Sequence, residues 1–170
     1  MKVRHQMFVL SALAMLCLRT PAVARNAVQI KVGDTPPELL GKDVDGREVR
    51  LSDYRGKVVV MSFWATWCPP CREEIPAFIR TQEKLGPKGL QVVGIAVDHL
   101  DKVKPYAAQM RINYPVLVGD LEAIDLARQA GNRLGGLPYT IILDRSGNII
   151  KTELGGVNQE KLERIVLPLL

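Results

Sequence analysis

Apolar residues run unbroken through Val58-Val59-Val60-Met61 and resume at Phe63-Trp64 after the single polar Ser62. A short run of this kind, entered from Gly56-Lys57, predicts a buried strand. Leu90 to Val97 predicts a second, Tyr114 to Val118 a shorter third. Gly135-Gly136-Leu137-Pro138 opens a fourth, Tyr139 to Leu143, which Asp144 to Asn148 turns into an antiparallel partner from Ile149 to Leu154. Helical spacing appears between and after these runs. It is carried by Ile75, Phe78 and Ile79, by Val103, Tyr106, Ala107 and Met110, and by Leu162, Ile165, Val166 and Leu169. Leu121 to Ala130 reads as one more helix, stopped by Gly131. Upstream, Gln29 to Val32 predicts a short strand broken by Gly33-Asp34-Thr35-Pro36-Pro37, and Val44 to Val49 a hairpin around Asp45-Gly46. Leu51 to Lys57 is a turn of helix and a loop feeding the central strand. Strands alternating with helices imply an α/β domain with right-handed crossovers and a sheet covered on both faces.

The first residues follow a different pattern. Lys2 and Arg4 precede an apolar run from Met7 to Leu18, and Ala22-Val23-Ala24 offers a small-residue cleavage site. This is the pattern of a secretory signal over residues 1–24, with 25–170 as a single domain. The apolar run is shorter than the roughly 20 residues a spanning helix needs; an uncleaved anchor is the rival reading. The formal charge of +5 falls to +2 without Lys2, Arg4 and Arg19, too small an excess for nucleic acid or an anionic membrane surface. Of three cysteines, Cys17 lies in the leader, so the exported domain holds only Cys68 and Cys71. One close pair in an oxidising compartment points to redox work rather than to a disulfide-stapled scaffold.

Cys68-Pro69-Pro70-Cys71 stands between the central strand and the helix after it. A thiol at a helix N-terminus meets free N–H groups and the positive end of the helix dipole, which favour the thiolate. A second thiol one turn on can attack any mixed disulfide the first one makes. A structural zinc site would want further cysteines or histidines, and His5 and His99 are the only histidines. A c-type haem site would want histidine where Arg72 stands. An inert disulfide over so short a loop would stabilise little. The two prolines suit the first helical turn and remove two donors that would otherwise solvate a Cys68 thiolate, which is expected to make the dithiol a better reductant; the plainer reading is that they stiffen the turn, and the two are compatible. Glu74, three residues after Cys71, shares its helix face and is placed to exchange the Cys71 proton; its bland alternative is a solvated first-turn acid such as Glu73. Pro76 should bend the helix. Trp64 and Trp67 pack around the motif, with Trp67 rimming the contact surface beside Cys68. His99 has no partner in sequence and receives no role.

Phe63 to Cys71, Glu74-Ile75-Pro76 and the distant Gly136-Leu137-Pro138-Tyr139-Thr140 together resemble the thioredoxin superfamily, and more narrowly the TlpA/ResA-like thiol–disulfide reductases of the bacterial cell envelope. The resemblance spans about residues 30 to 168. It implies a thioredoxin-like fold: a central mixed β-sheet with helices on both faces, an N-terminal hairpin and an extra strand–helix insertion. It implies a cis Leu137–Pro138 bond packed against the cysteine pair. Thioredoxins proper carry a buried Asp in the strand before the motif, where this chain has only Ser62; the envelope reductases place an acid at the position of Glu74.

The expected function is that of a periplasmic thiol–disulfide oxidoreductase working in the reducing direction. Cys68 attacks, Cys71 resolves, Glu74 manages protons, and Trp67, Pro69, Pro70, Leu137 and Pro138 hold the substrate. The resemblance implies disulfide-containing envelope proteins as clients, an apocytochrome c among them, and a membrane thiol donor. A monomer is expected, with no metal and no cofactor beyond the Cys68–Cys71 disulfide. Two alternatives belong to other classes. A thiol peroxidase would want proline at position 61, where Met stands, and a copper carrier would want a further ligand, for which only His99 is at hand.

Overall fold

A computed structural model describes residues 30–119 and 121–170. The leader assigned to 1–24, Gln29 and the anchor alternative lie outside these residues. In chain order the elements are β1 (Leu40–Lys42), β2 (Glu48–Arg50), β3 (Val58–Trp64), α1 (Pro69–Leu85), β4 (Leu90–Ala96), α2 (Leu100–Gln109), β5 (Val116–Val118), α3 (Leu121–Gln129), β6 (Tyr139–Leu143), β7 (Ile149–Leu154) and α4 (Gln159–Val166). Single 3-10 turns occupy Leu51–Tyr54, Gly86–Lys88 and Leu167–Leu169.

Five strands form one mixed sheet in the order β5-β4-β3-β6-β7. β3 is its centre, parallel to β4 and antiparallel to β6. Every residue of β3 is buried, and its two-residue period divides them between two cores. Val58, Val60 and Trp64 face one layer, with Ile75 and Phe78 of α1, Val103 of α2 and Leu162 and Val166 of α4. Val59, Met61 and Phe63 face the other, with Leu126 and Ala127 of α3. Ser62 shares the parity of the first set, so it points toward α1. Gly94 of β4 leaves the room this layer needs: a Cβ there would stand 3.1 Å from Trp64 Nε1 and 3.2 Å from Tyr114 Cε2.

The thioredoxin-like α/β expectation holds, and two local readings change. Residues 30–34 form a turn rather than a strand, because the Asp34 carboxylate accepts from Lys31 N–H at 2.8 Å and Asp34 N–H donates to the Lys31 carbonyl at 3.0 Å. The hairpin exists, but its arms are Leu40–Lys42 and Glu48–Arg50. Val44 belongs to the turn, where Asp43 Oδ1 accepts from the N–H groups of Asp45 and Arg47 at 2.9 and 2.8 Å. The hairpin closes on the sheet edge through an Asp43–Leu117 bridge and Val44 N–H to the Val116 carbonyl at 2.9 Å. The close approach needs glycine at position 41, since a Cβ would lie 2.6 Å from Leu117 Cδ2. Finally, α1 runs through Pro76 to Leu85 as one helix, and Arg72, whose carbonyl loses its amide partner, is exposed to water.

Candidate active site

β3 ends at Trp64, the chain makes a tight turn, and α1 begins with Cys68 as its N-cap and Pro69 and Pro70 in its first positions. Cys68 and Cys71 are joined by a disulfide, with Cα atoms 5.3 Å apart. Cys68 is nearly buried and Cys71 wholly so. The Cys68 side chain accepts no capping bond from the first turn of α1, as expected where two successive residues lack an N–H.

Glu74 is where burial and chemistry meet. Its side chain points into the layer between α1, β3 and α4, and the residue is 4 % exposed. Ser62 Oγ lies 3.2 Å from Glu74 Oε1, and Val157 N–H donates to Oε2 at 3.1 Å. Burial pushes the Glu74 carboxyl up to about 7, against the pull of the bonds from Val157 and Ser62. Glu73, one residue before, is exposed. One turn of helix therefore carries a buried thiol and a buried acid that titrates near neutrality.

Leu137–Pro138 is cis, and Pro138 is buried immediately before β6. Because β6 runs antiparallel to β3 with Tyr139 opposite Phe63, the start of β6 and the end of β3 meet at one edge of the sheet. Register thus sets the proline segment beside the loop that carries the motif, with Leu137 and Trp67 lining one pocket. Neither the N–H nor the C=O of Leu137 has a hydrogen-bond partner among the described residues. Asn132 steadies the approach to it, donating from Nδ2 to the Gly136 carbonyl at 2.9 Å. Trp67 is 66 % exposed, whereas Trp64 is sealed in the core. A small apolar pocket of about 100 Å³ opens between Trp67 and Leu137, with Phe63, Val97 and Ala127 in its wall.

The AhpC/TSA family model matches residues 32–152. The chain belongs to the AhpC/TSA family. The thiol-disulfide oxidoreductase ResA of Geobacillus kaustophilus (strain HTA426) is 32% identical over 136 residues, which cover 79% of this chain and 76% of that protein. Among solved structures, a thiol:disulfide interchange protein of the thioredoxin family from Chlorobium tepidum TLS superposes with a TM-score of 0.76 at 33% identity, covering 81% of this chain and 96% of that one. A secreted thiol-disulfide isomerase from Corynebacterium glutamicum gives 0.68 at 26% identity, over 79% and 84%. Together with the paired cysteines at the head of α1, this AhpC/TSA member has the chemistry of a thiol–disulfide oxidoreductase.

Three neighbours of the motif escaped the sequence. Ser62 could have been found from strand parity, which points it at α1. Val157 had no signal at all, because any residue supplies the N–H that Glu74 receives. Asp98, whose carboxylate binds Thr66 just ahead of the cysteines, is marked only as an acid following a buried strand.

Proposed function

We propose that this chain is exported to the periplasm and reduces disulfides in other proteins there. In the reduced protein the Cys68 thiolate attacks one sulfur of a client disulfide. A Cys68–client mixed disulfide forms and the client's other sulfur leaves as a thiolate. Cys71 then gives its proton to the Glu74 carboxylate and attacks the Cys68 sulfur, releasing the second client thiol and restoring the Cys68–Cys71 bond. Two electrons pass from the dithiol to the client, and a membrane thiol donor returns them. Leu137 offers its free backbone groups to the client in strand fashion, with Trp67, Pro69, Pro70 and Pro138 framing the contact. The observation that carries this reading is Glu74, buried one turn from a buried cysteine and titrating at about 7. The protein acts as a monomer, and an apocytochrome c is the client class that the resemblance favours.

No helix among the described residues is long and apolar enough to cross a membrane, and the export assignment rests on the sequence of residues 1–24. The reducing direction rests on Pro69 and Pro70, which deprive a Cys68 thiolate of helix donors. Equilibration with glutathione or dithiothreitol buffers measures the outcome. A reduction potential near the thioredoxin end, about −270 mV, is expected; a value above about −180 mV would assign the pair to oxidation or isomerisation instead. Metal titration of the reduced protein tests the copper-carrier alternative. The peroxidase alternative meets Met61 sealed inside β3 at the position that pattern gives to proline.

A further inference from the structure

The loops leaving β3 and β4 run side by side, and one side chain ties them together. Val97 N–H donates to the Trp64 carbonyl at 2.8 Å, extending the strand pairing by one bond. On the other loop, Thr66 and Trp67 are the central residues of a turn closed by Cys68 N–H to the Ala65 carbonyl at 3.2 Å. Asp98 reaches this turn from beyond the end of β4. Its Oδ2 accepts from Thr66 N–H at 3.1 Å and from the Thr66 hydroxyl. Its Oδ1 accepts from His99 N–H at 2.7 Å. Burial works against the charged form here, yet the bonds from Thr66 and His99 hold the Asp98 carboxyl below the usual range.

We propose that Asp98 is a positioning residue for Cys68, clamping the Ala65–Cys68 turn to the end of β4 so that the attacking sulfur is held in line with an incoming disulfide. The inference rests on the thiol–disulfide reading above. Its force comes from what else holds the turn. In the oxidised state the Cys68–Cys71 bond pins Cys68 to α1. That bond is absent in the dithiol, which is the form that attacks. Pro69 and Pro70 give no N–H to the turn, so α1 holds Cys68 through its backbone, Arg72 N–H to the Cys68 carbonyl at 3.2 Å, and the Trp67 side chain is exposed without a hydrogen bond among the described residues. The carboxylate is then the side-chain tether that remains. Exchange needs the attacking sulfur aligned with the bond it breaks, and small misplacements are costly in such reactions.

The experiment uses the reduced protein and a small aromatic disulfide, 5,5′-dithiobis(2-nitrobenzoate), followed by stopped flow. Acrylamide quenching of Trp67 and the thermal midpoint are recorded in both redox states. Asp98→Ala should react about tenfold more slowly than wild type, equivalent to about 1.4 kcal/mol. Its Trp67 should become more quenchable on reduction, a change wild type lacks. Asp98→Asn keeps an acceptor for Thr66 without the charge and should restore the rate to within about twofold, separating tether from field. Thr66→Ala, which keeps the backbone bond, should slow the reaction by less than Asp98→Ala. An Asp98→Ala rate within about twofold of wild type overturns the proposal. So does a loss of rate that follows the thermal midpoint and is not rescued by Asn, since that is a folding effect. If wild type itself fails to reduce the aromatic disulfide, the thiol–disulfide reading falls, and the inference with it.

Discussion

At the scale of single residues, Glu74 sets a pH dependence whose sign can be worked out. Its folded value of about 7 lies above the ordinary 4.5, so the fold favours the protonated form. That contribution is complete below about 4.5, shrinks as pH rises through the interval, and is gone above about 7. Over the whole interval it amounts to about 3 kcal/mol. Urea unfolding of the oxidised protein at pH 5 and pH 8 should therefore show wild type losing stability that Glu74→Gln keeps. Equal losses in both would place the pH dependence elsewhere. In turnover, Glu74→Gln should slow reduction of a protein disulfide well beyond any effect of Glu73→Gln, since Glu73 faces solvent. The two thiols are also separable. Cys71→Ser should accumulate a mixed disulfide on Cys68 when exposed to extract of the exported compartment, because attack proceeds and resolution does not. Trapping through Cys71 in Cys68→Ser, read by mass spectrometry, would reverse the assignment of nucleophile.

Among the elements, α4 matters to the site although it carries none of the reacting groups. Asn158 caps it, with Oδ1 accepting from Lys161 N–H at 2.9 Å, and the preceding residue is Val157, which donates to Glu74. Asn158→Ala should cost about 1 kcal/mol of stability, the usual worth of such a cap. It should also shift the pH profile of turnover, because the loosened Val157 N–H no longer favours the Glu74 carboxylate. An unchanged profile beside the expected stability loss would confine α4 to packing. This dependence shows where sequence reading stops. The strands and helices were legible because apolar runs and 3.6-residue spacing are local signals, and β3, α1 and the β6–β7 pair lie where the pattern puts them. The strand read at Gln29 to Val32 failed because Asp34 supplies a turn that apolar alternation does not register. Backbone donors such as Val157 carry no residue-type signal and become visible only when α4 is docked.

For the whole molecule, sheet order explains how much of the site could be anticipated. The cysteine pair and Glu74 lie within one stretch, so their relation is set by helix geometry and legible from spacing. Pro138 was reachable only through the resemblance, because nothing local connects it to the motif. Asp98 needed the parallel pairing of β3 with β4, which aligns Trp64 with Ala96 and so brings the two following loops together. Both core layers close on the same central strand, which makes β3 the element on which site and stability jointly depend.

That Phe63 faces Tyr139 in register has a consequence for the life of the chain before it works. The cysteines precede β6 by about 70 residues in the chain, so the turn that carries them is covered from that side only when β6 pairs with β3. The β3–β6 pairing therefore links burial of the site to completion of the central sheet. In a urea series, alkylation of Cys71 in the reduced protein should accelerate at the same midpoint at which tryptophan fluorescence reports unfolding. Acceleration at lower urea would reveal a site that opens while the remainder of the fold persists.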